Sequence, residues 1–228
     1  MRGRLSAISI ALFVTSAACV TSGCKVEHKP APDANASAAS TNAVDGFAGK
    51  AADLQAQAAQ VWDAKAMPLL DKRAVDFAEL RAAMKAGLDP AGARYGYRER
   101  GEGAPWNFVT KFAGTLVAAD TAVSAGTIDV DVDGDGKPDL QVLVGPVIEG
   151  TSIRDNLDFI SFSSYTDQVQ FAQLANAFND RAYAQALKPV ARDKLVVGAK
   201  VEGEGTFTTD DGSDAPVVTP VRFALKGG

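Results

Sequence analysis

Leu54, Ala58, Val61 and Trp62 recur at helical spacing, and Phe47 seven positions before Leu54 extends the same apolar stripe. Met67-Pro68 interrupts it, since proline has no N–H to give a helix interior. A second helix is expected from Ala74 to Ala86, with Phe77, Leu80 and Met84 inward and Gly87 near its C-cap. Asp89-Pro90 and the glycine-rich stretch to Pro105 read as a long connection centred on Arg94-Tyr95-Gly96-Tyr97-Arg98-Glu99-Arg100. The period then changes to two. Phe108 to Ala118 is strand-like, Ile128, Val130 and Val132 alternate with Asp129, Asp131 and Asp133, and Leu140, Val142 and Val144 supply a return strand. A third helix fits Asp167 to Leu187, with Phe171, Leu174, Ala175, Phe178 and Ala182 on one face and Pro189 beyond its end. Strands are expected around Leu195–Val201, Gly203–Thr208 and Val217–Leu225. The order predicts an α+β chain, mainly β, with about three helices.

The amino terminus follows a different pattern. Arg2 and Arg4 precede an apolar or small-residue run from Leu5 to Val20, which leads into Thr21-Ser22-Gly23-Cys24. The run is too short to span a bilayer and has the form of a secretory signal ending in a lipoprotein cleavage site. Cys24 is the expected lipidation site; Thr21 stands where leucine is usual, which leaves Cys19 as a lesser alternative and unlipidated cleavage as the other reading. Residues 1–23 are then signal peptide and 24–46 a lipidated, flexible tether. From Glu27 to Asp45 the tether is Ala, Ser, Asn and Pro, with almost no large apolar residue. Twenty such residues span about 25 Å root-mean-square and roughly 70 Å at full stretch.

Composition narrows the chemistry. The chain has 23 basic and 28 acidic residues, a formal charge of −5, and loses Arg2 and Arg4 with the signal. An acidic envelope protein is a poor partner for nucleic acid. Both cysteines lie in the first 24 residues and the single histidine, His28, lies in the tether. The folded segment, 47–228, therefore has no disulfide, no Cys–His or Ser–His–Asp nucleophile system, and no thiolate or imidazole zinc site.

The sharpest local motif is Asp131-Val132-Asp133-Gly134-Asp135-Gly136-Lys137-Pro138-Asp139 between two expected strands. Carboxylates of Asp131, Asp133, Asp135 and Asp139 can converge there because glycines permit the turn, giving an oxygen shell suited to Ca²⁺. Val142 stands where an EF-hand has its glutamate. The other reading is a solvated turn that keeps a strand edge soluble. Tyr95, Tyr97 and Trp106, mixed with arginines, form a candidate surface for stacking a sugar or an anionic partner, or else simply bury area. Arg154-Asp155 with Asp158 is suited to bracing a turn or to binding. No spacing selects a carboxylate pair for hydrolysis.

Lys111–Val147 and Lys200–Val221 share an order of strand, Asp-Gly turn and strand, a faint duplication that two small packed barrels would satisfy. Several motifs together resemble a known family. These are Gly23-Cys24-Lys25-Val26, Trp62 with Pro68, Asp89-Pro90, Tyr95-Gly96 leading to Pro105-Trp106, and Asp120-Thr121. Gly145-Pro146-Val147-Ile148-Glu149-Gly150-Thr151 with Arg154-Asp155, Phe159-Ile160, Gln168 to Asn179, and Thr219-Pro220-Val221 complete the set. The chain resembles the predicted periplasmic lipoproteins of domain of unknown function 2291, although Glu149 stands where an arginine is expected. The resemblance implies two tandem OB-like barrels with exchanged C-terminal strands, the halves falling at about 47–160 and 161–228. It also implies a non-enzymatic accessory role beside ribose-type ABC sugar transporters, with Thr151, Arg154 and Asp155 among the candidate contacts. A calcium-stabilised envelope module that binds glycan or another envelope protein is the alternative, and a carboxylate hydrolase the third. Lys25 after the lipidated cysteine favours the outer membrane over the inner.

Overall fold

The first helical stripe continues past the proline expected to interrupt it. The computed structural model describes residues 53–99, 103–165, 167–212 and 215–226. Helix α1 covers residues 53–61, a π-turn follows at Trp62–Ala66, and α2 runs Met67–Arg73. The Met67 N–H reaches back to the Trp62 carbonyl, so the wider turn lets Pro68 enter as the first residues of a new helical segment. Leu54, Ala58, Trp62, Ala66 and Leu70 are buried on one side. The Trp62 indole N–H donates to Gln185 Oε1 at 2.7 Å.

Strand β1 (Val75–Asp76) is followed by α3 (Phe77–Ala86), which starts later than expected because Asp76 caps it, accepting from the N–H groups of Ala78 and Glu79. The connection expected after Gly87 contains another helix, α4 (Leu88–Tyr95). Pro90 lies in its first turn, where no N–H is needed. Gly92 lets α4 lie against Trp106; a Cβ there would sit 2.2 Å from the indole ring.

The sheet comprises β1, β2 (Trp106–Asp120), β3 (Thr127–Asp131), β4 (Leu140–Leu143), β5 (Lys200–Thr209) and β6 (Val217–Leu225). Strand β2 pairs with β3, β3 with β4, β4 with β6, β6 with β5, and β5 returns to β2. The five long strands thus form a closed circuit of pairings, with β1 parallel to β2 beside Thr110. Short α5 (Ser152–Asp155) and long α6 (Gln168–Ala182), which runs on through a π-turn at Tyr183–Leu187, separate β4 from β5. Asp167, expected as the first residue of the third helix, instead caps α6 by accepting from the Gln170 N–H.

All six strands belong to one sheet, where two tandem barrels were expected. The two hairpins that echo each other do not build separate halves. Strand β5 covers β2 from Trp106 to Thr115, and β6 lies parallel beside β4 at Gln141 and Val142, so each hairpin satisfies an edge of the other. The described residues fall in one unit, Asn42–Gly228. Two apolar clusters result. Phe108, Phe112, Leu116, Ile128, Val130, Leu140, Val142 and Phe207 fill the space between strands and α3. Val109 and Val221 face the other way, onto Trp62, Leu70, Ile153, Leu157, Leu174 and Phe178. Alternation along β2, and the register shift that leaves Val221 between the paired Pro220 and Arg222 on β6, therefore feed both clusters.

Candidate ligand cavity beside helix α5

The segment Gly145–Asp155 is fastened to the rest of the fold before it forms any site. The Asn179 amide donates to the carbonyls of Ile148 at 3.2 Å and Gly150 at 2.9 Å, joining the segment to α6. The Ser152 hydroxyl lies 2.8 Å from that of Thr206 and donates to that of Thr219 at 3.2 Å. Buried Asn156 donates to Ser152 O and Phe108 O. These bonds join α5 to β2, β5 and β6.

So held, α5 projects Arg154 and Asp155 into a cavity of 420 Å³. Tyr97, Glu99, Pro105, Asn107, Ile160 and Phe162, with Gln168, Phe171 and Ala172 of α6, line the rest of it. Arg154 is 8% exposed. Its Nε and Nη2 donate to Asp155 Oδ1 at 2.8 and 2.6 Å, and Nη1 donates to the Phe171 carbonyl at 2.9 Å. The guanidinium lies 3.7 Å from the centre of the Phe171 ring. Asp155 Oδ2 accepts from Thr151 at 2.6 Å. The charge pair is thus internally compensated, and the wall it forms is polar without a free charge. Phe171 meets Phe162 edge-on at 5.4 Å. Tyr97 is anchored through paired backbone hydrogen bonds to Asn107 and lies under the Arg73 guanidinium at 4.6 Å. Burial, followed by the Glu99 and Asp158 charges, raises the Tyr97 pKa.

Of the expected binding residues, Tyr97, Arg154 and Asp155 line this cavity and Thr151 braces it. Tyr95 and Trp106 are not in the lining. The Tyr95 hydroxyl donates to Glu79 at 2.6 Å, a bond that is the main reason its pKa is raised. Trp106 has Arg98 at 3.9 Å over its ring and α4 closely packed beside it, while its N–H donates to Asp89 at 2.9 Å. Neither Trp106 face is open for stacking a sugar. Cys24, the signal and the tether lie outside the described residues.

In the acidic hairpin loop, Gly134 and Gly136 adopt φ of 85° and 83°, the left-handed turns anticipated there. Asp131 accepts from the N–H groups of Gly134 and Gly136, and Asp139 from those of Val132 and Asp133. Asp131, Asp133 and Asp139 each offer a carboxylate oxygen within 4.8 Å of the others. Asp135 is outside that trio; it accepts from the Lys137 N–H, which lowers its pKa. Arg81 of α3 forms ion pairs with Asp139 and, at 3.3 Å, with Asp133. The loop therefore already has a cation among its carboxylates, one that hairpin spacing alone does not reveal.

Sequence reading also missed Glu204. It stands two residues after Glu202 on β5, where strand period places both on the outward face, yet it is 4% exposed. Burial, then the charge of neighbouring Asp71, raises its pKa from 4.5 to about 7. Burial pushes Asp71 up, but Arg222, which reaches it at 2.8 and 2.9 Å, together with a hydrogen bond from Glu204 and the Lys111 charge, holds it below its ordinary value.

The strand circuit with its outer helices defines an OB-fold protein. A crystal structure of an OB-fold protein from Thermotoga maritima is similar with a TM-score of 0.58, covering 76% of this chain and 98% of that one at 14% identity. That likeness shows the fold alone. No curated protein matches the chain. The family model for predicted periplasmic lipoproteins, domain of unknown function 2291, matches residues 14–224, and the chain belongs to that family. A periplasmic, membrane-anchored location follows from the family. Among the described residues no helix is long and apolar enough to cross a membrane.

Proposed function

We propose that this lipoprotein is a non-enzymatic binding module, held at the outer membrane through Cys24 and accessory to a sugar ABC transport system. The observation that carries the reading is the 420 Å³ cavity, whose Arg154–Asp155 pair is already satisfied and whose remaining lining mixes the rings of Tyr97, Phe162 and Phe171 and the amides of Asn107 and Gln168 with aliphatic side chains and the single Glu99 carboxylate. Such a lining suits an uncharged, hydroxyl-rich ligand, which takes hydrogen bonds from side-chain amides and apolar contact from ring faces. Two measurements test it. Isothermal titration of the protein with a panel of neutral sugars should give saturable binding that Tyr97→Ala removes while the fold persists. Crosslinking capture from native membranes should recover a sugar permease or its solute-binding protein. No sugar binding together with no transport component would refute the reading.

A second reading, a calcium-stabilised envelope module, has the carboxylate trio in its favour. An ion there would compete with Arg81 for Asp133 and Asp139. Absence of heat on titration with millimolar Ca²⁺ would eliminate it.

A further inference from the structure

The described residues leave seven large apolar side chains exposed, and four of them lie at one end of the strand circuit: Val123, Val147, Val196 and Val197, at 50, 49, 55 and 67% exposure. Hydrogen bonds join the loops that carry them. The Val147 N–H donates to Ser124 O at 3.1 Å, and the Gly198 N–H to Leu116 O at 2.8 Å. Arg192 donates to the carbonyls of Thr121 at 2.7 Å and Val123 at 3.2 Å. The valines thus sit on connected loops.

Charge is distributed unevenly between the two ends. Residues 188–200 carry Lys188, Arg192, Lys194 and Lys200 against Asp193, and Asp120 at the end of β2 with Glu149 on the adjoining loop leaves this end slightly basic. Strand β3 runs from here to the acidic hairpin loop, and the β5–β6 turn with Asp210 and Asp211 lies at that far end, since Gln141 pairs with Val217. A chain of net charge −5 therefore gathers its acidic loops at one pole and presents apolar, weakly basic loops at the other.

We propose that the valine-bearing loops are the face with which the lipid-anchored protein rests on an anionic phospholipid bilayer, the acidic pole pointing away. The proposal rests on the lipid anchor. With the chain already tethered, the local concentration of surface is high, so a small apolar tip with a few cations suffices for contact. In the opposite orientation, the acidic loops would meet a surface of their own sign.

The sequence makes a direct test convenient. Cys19 would leave with the signal and Cys24 carries the lipid, so an introduced cysteine is the single free thiol. Full-length lipidated Val197→Cys and Val147→Cys would be labelled with a polarity-sensitive fluorophore and reconstituted in phosphatidylethanolamine–phosphatidylglycerol vesicles. Lys137→Cys in the acidic loop serves as the comparison. The expected result is a blue shift and several-fold stronger quenching by spin-labelled lipid at 197 and 147 than at 137. Replacing phosphatidylglycerol with phosphatidylcholine should weaken both without releasing the protein. Equal signals at the three sites in protein that co-floats with vesicles would overturn the orientation alone. Failure to co-float would refute the lipid anchor and the orientation with it.

Discussion

Replacing Glu204 by glutamine should abolish a pH dependence of stability that this one carboxyl imposes. Glu204 lies on β5 with its side chain 5% exposed, 3.8 Å from Lys111 Nζ and near the Asp71 carboxylate. Burial and Asp71 raise its pKa from 4.5 to about 7, with Lys111 and Arg222 pulling the other way. Between those two values the folded chain retains a proton that the unfolded chain has released. Stability therefore falls as pH rises through the window, and the full loss is present above about 7. At 1.36 kcal/mol per pKa unit, the rise from 4.5 to about 7 makes the loss on the order of 3 kcal/mol. Asp71, whose pKa is depressed from 3.8, acts in the opposite sense and at more acid pH, where protonation removes its pairing with Arg222. Glutamine keeps the shape and carries no charge. Urea unfolding, followed through the buried Trp62 and Trp106, should find Glu204→Gln more stable than wild type at pH 8 and nearly equal to it at pH 4.5. Parallel stability profiles for the two proteins would refute the reasoning.

Arg81→Met should cost about 2–4 kcal/mol, because Asp139, with its side chain 2% exposed, would keep its backbone donors but lose its cation; an unchanged urea midpoint would contradict this. Gly92→Ala should cost more than about 2 kcal/mol, since the new Cβ overlaps the Trp106 ring; loss of near-ultraviolet circular dichroism together with a lower melting point is the expected signature. Arg154→Lys should weaken ligand binding several-fold with a smaller effect on stability, because an ammonium cannot reproduce the guanidinium's grip on Asp155 and Phe171 O; calorimetric titration with whichever sugar binds wild type would read it.

What the sequence made legible was the periodic part. The strands of the β3–β4 hairpin and the Phe178 stripe of α6 could be read because each depends on neighbours within a few residues. Helix α4 was hidden because Asp89-Pro90 and Gly92 read as loop, whereas Pro90 is harmless in a first turn and Gly92 is needed for contact with Trp106, distant in sequence. The single sheet was hidden for a related reason. Strand pairing between β2 and β5 joins residues about a hundred positions apart, and two similar hairpins look alike whether they repeat a domain or complete one another. At the cavity, Arg154-Asp155 was visible as a charge pair, but its neighbours Tyr97, Phe162 and Phe171 come from three segments that only the fold brings together. Arg81 and Glu204 escaped notice because burial of a charge is decided by what packs over it.

The family motifs around Gly145–Asp155 gain meaning from where their hydrogen bonds go. Asn179 fixes the carbonyls of Ile148 and Gly150, Ser152 reaches Thr206 and Thr219, and Thr151 braces Asp155. Each is a polar bond at or near the interior, where an unmade partner is costly, so together they allow α5 few positions. The position they select puts Arg154 against Phe171 and opens space toward Tyr97. Thr219, which belongs to another of the resembling motifs, takes part in the same clamp from β6. Segments far apart in the chain thus converge on setting one cavity wall, and neither the acidic loop nor the Tyr95–Trp106 region shares those bonds. A site built this way is preorganised by the fold rather than by its own loop, which is the condition for selective recognition of a small neutral ligand.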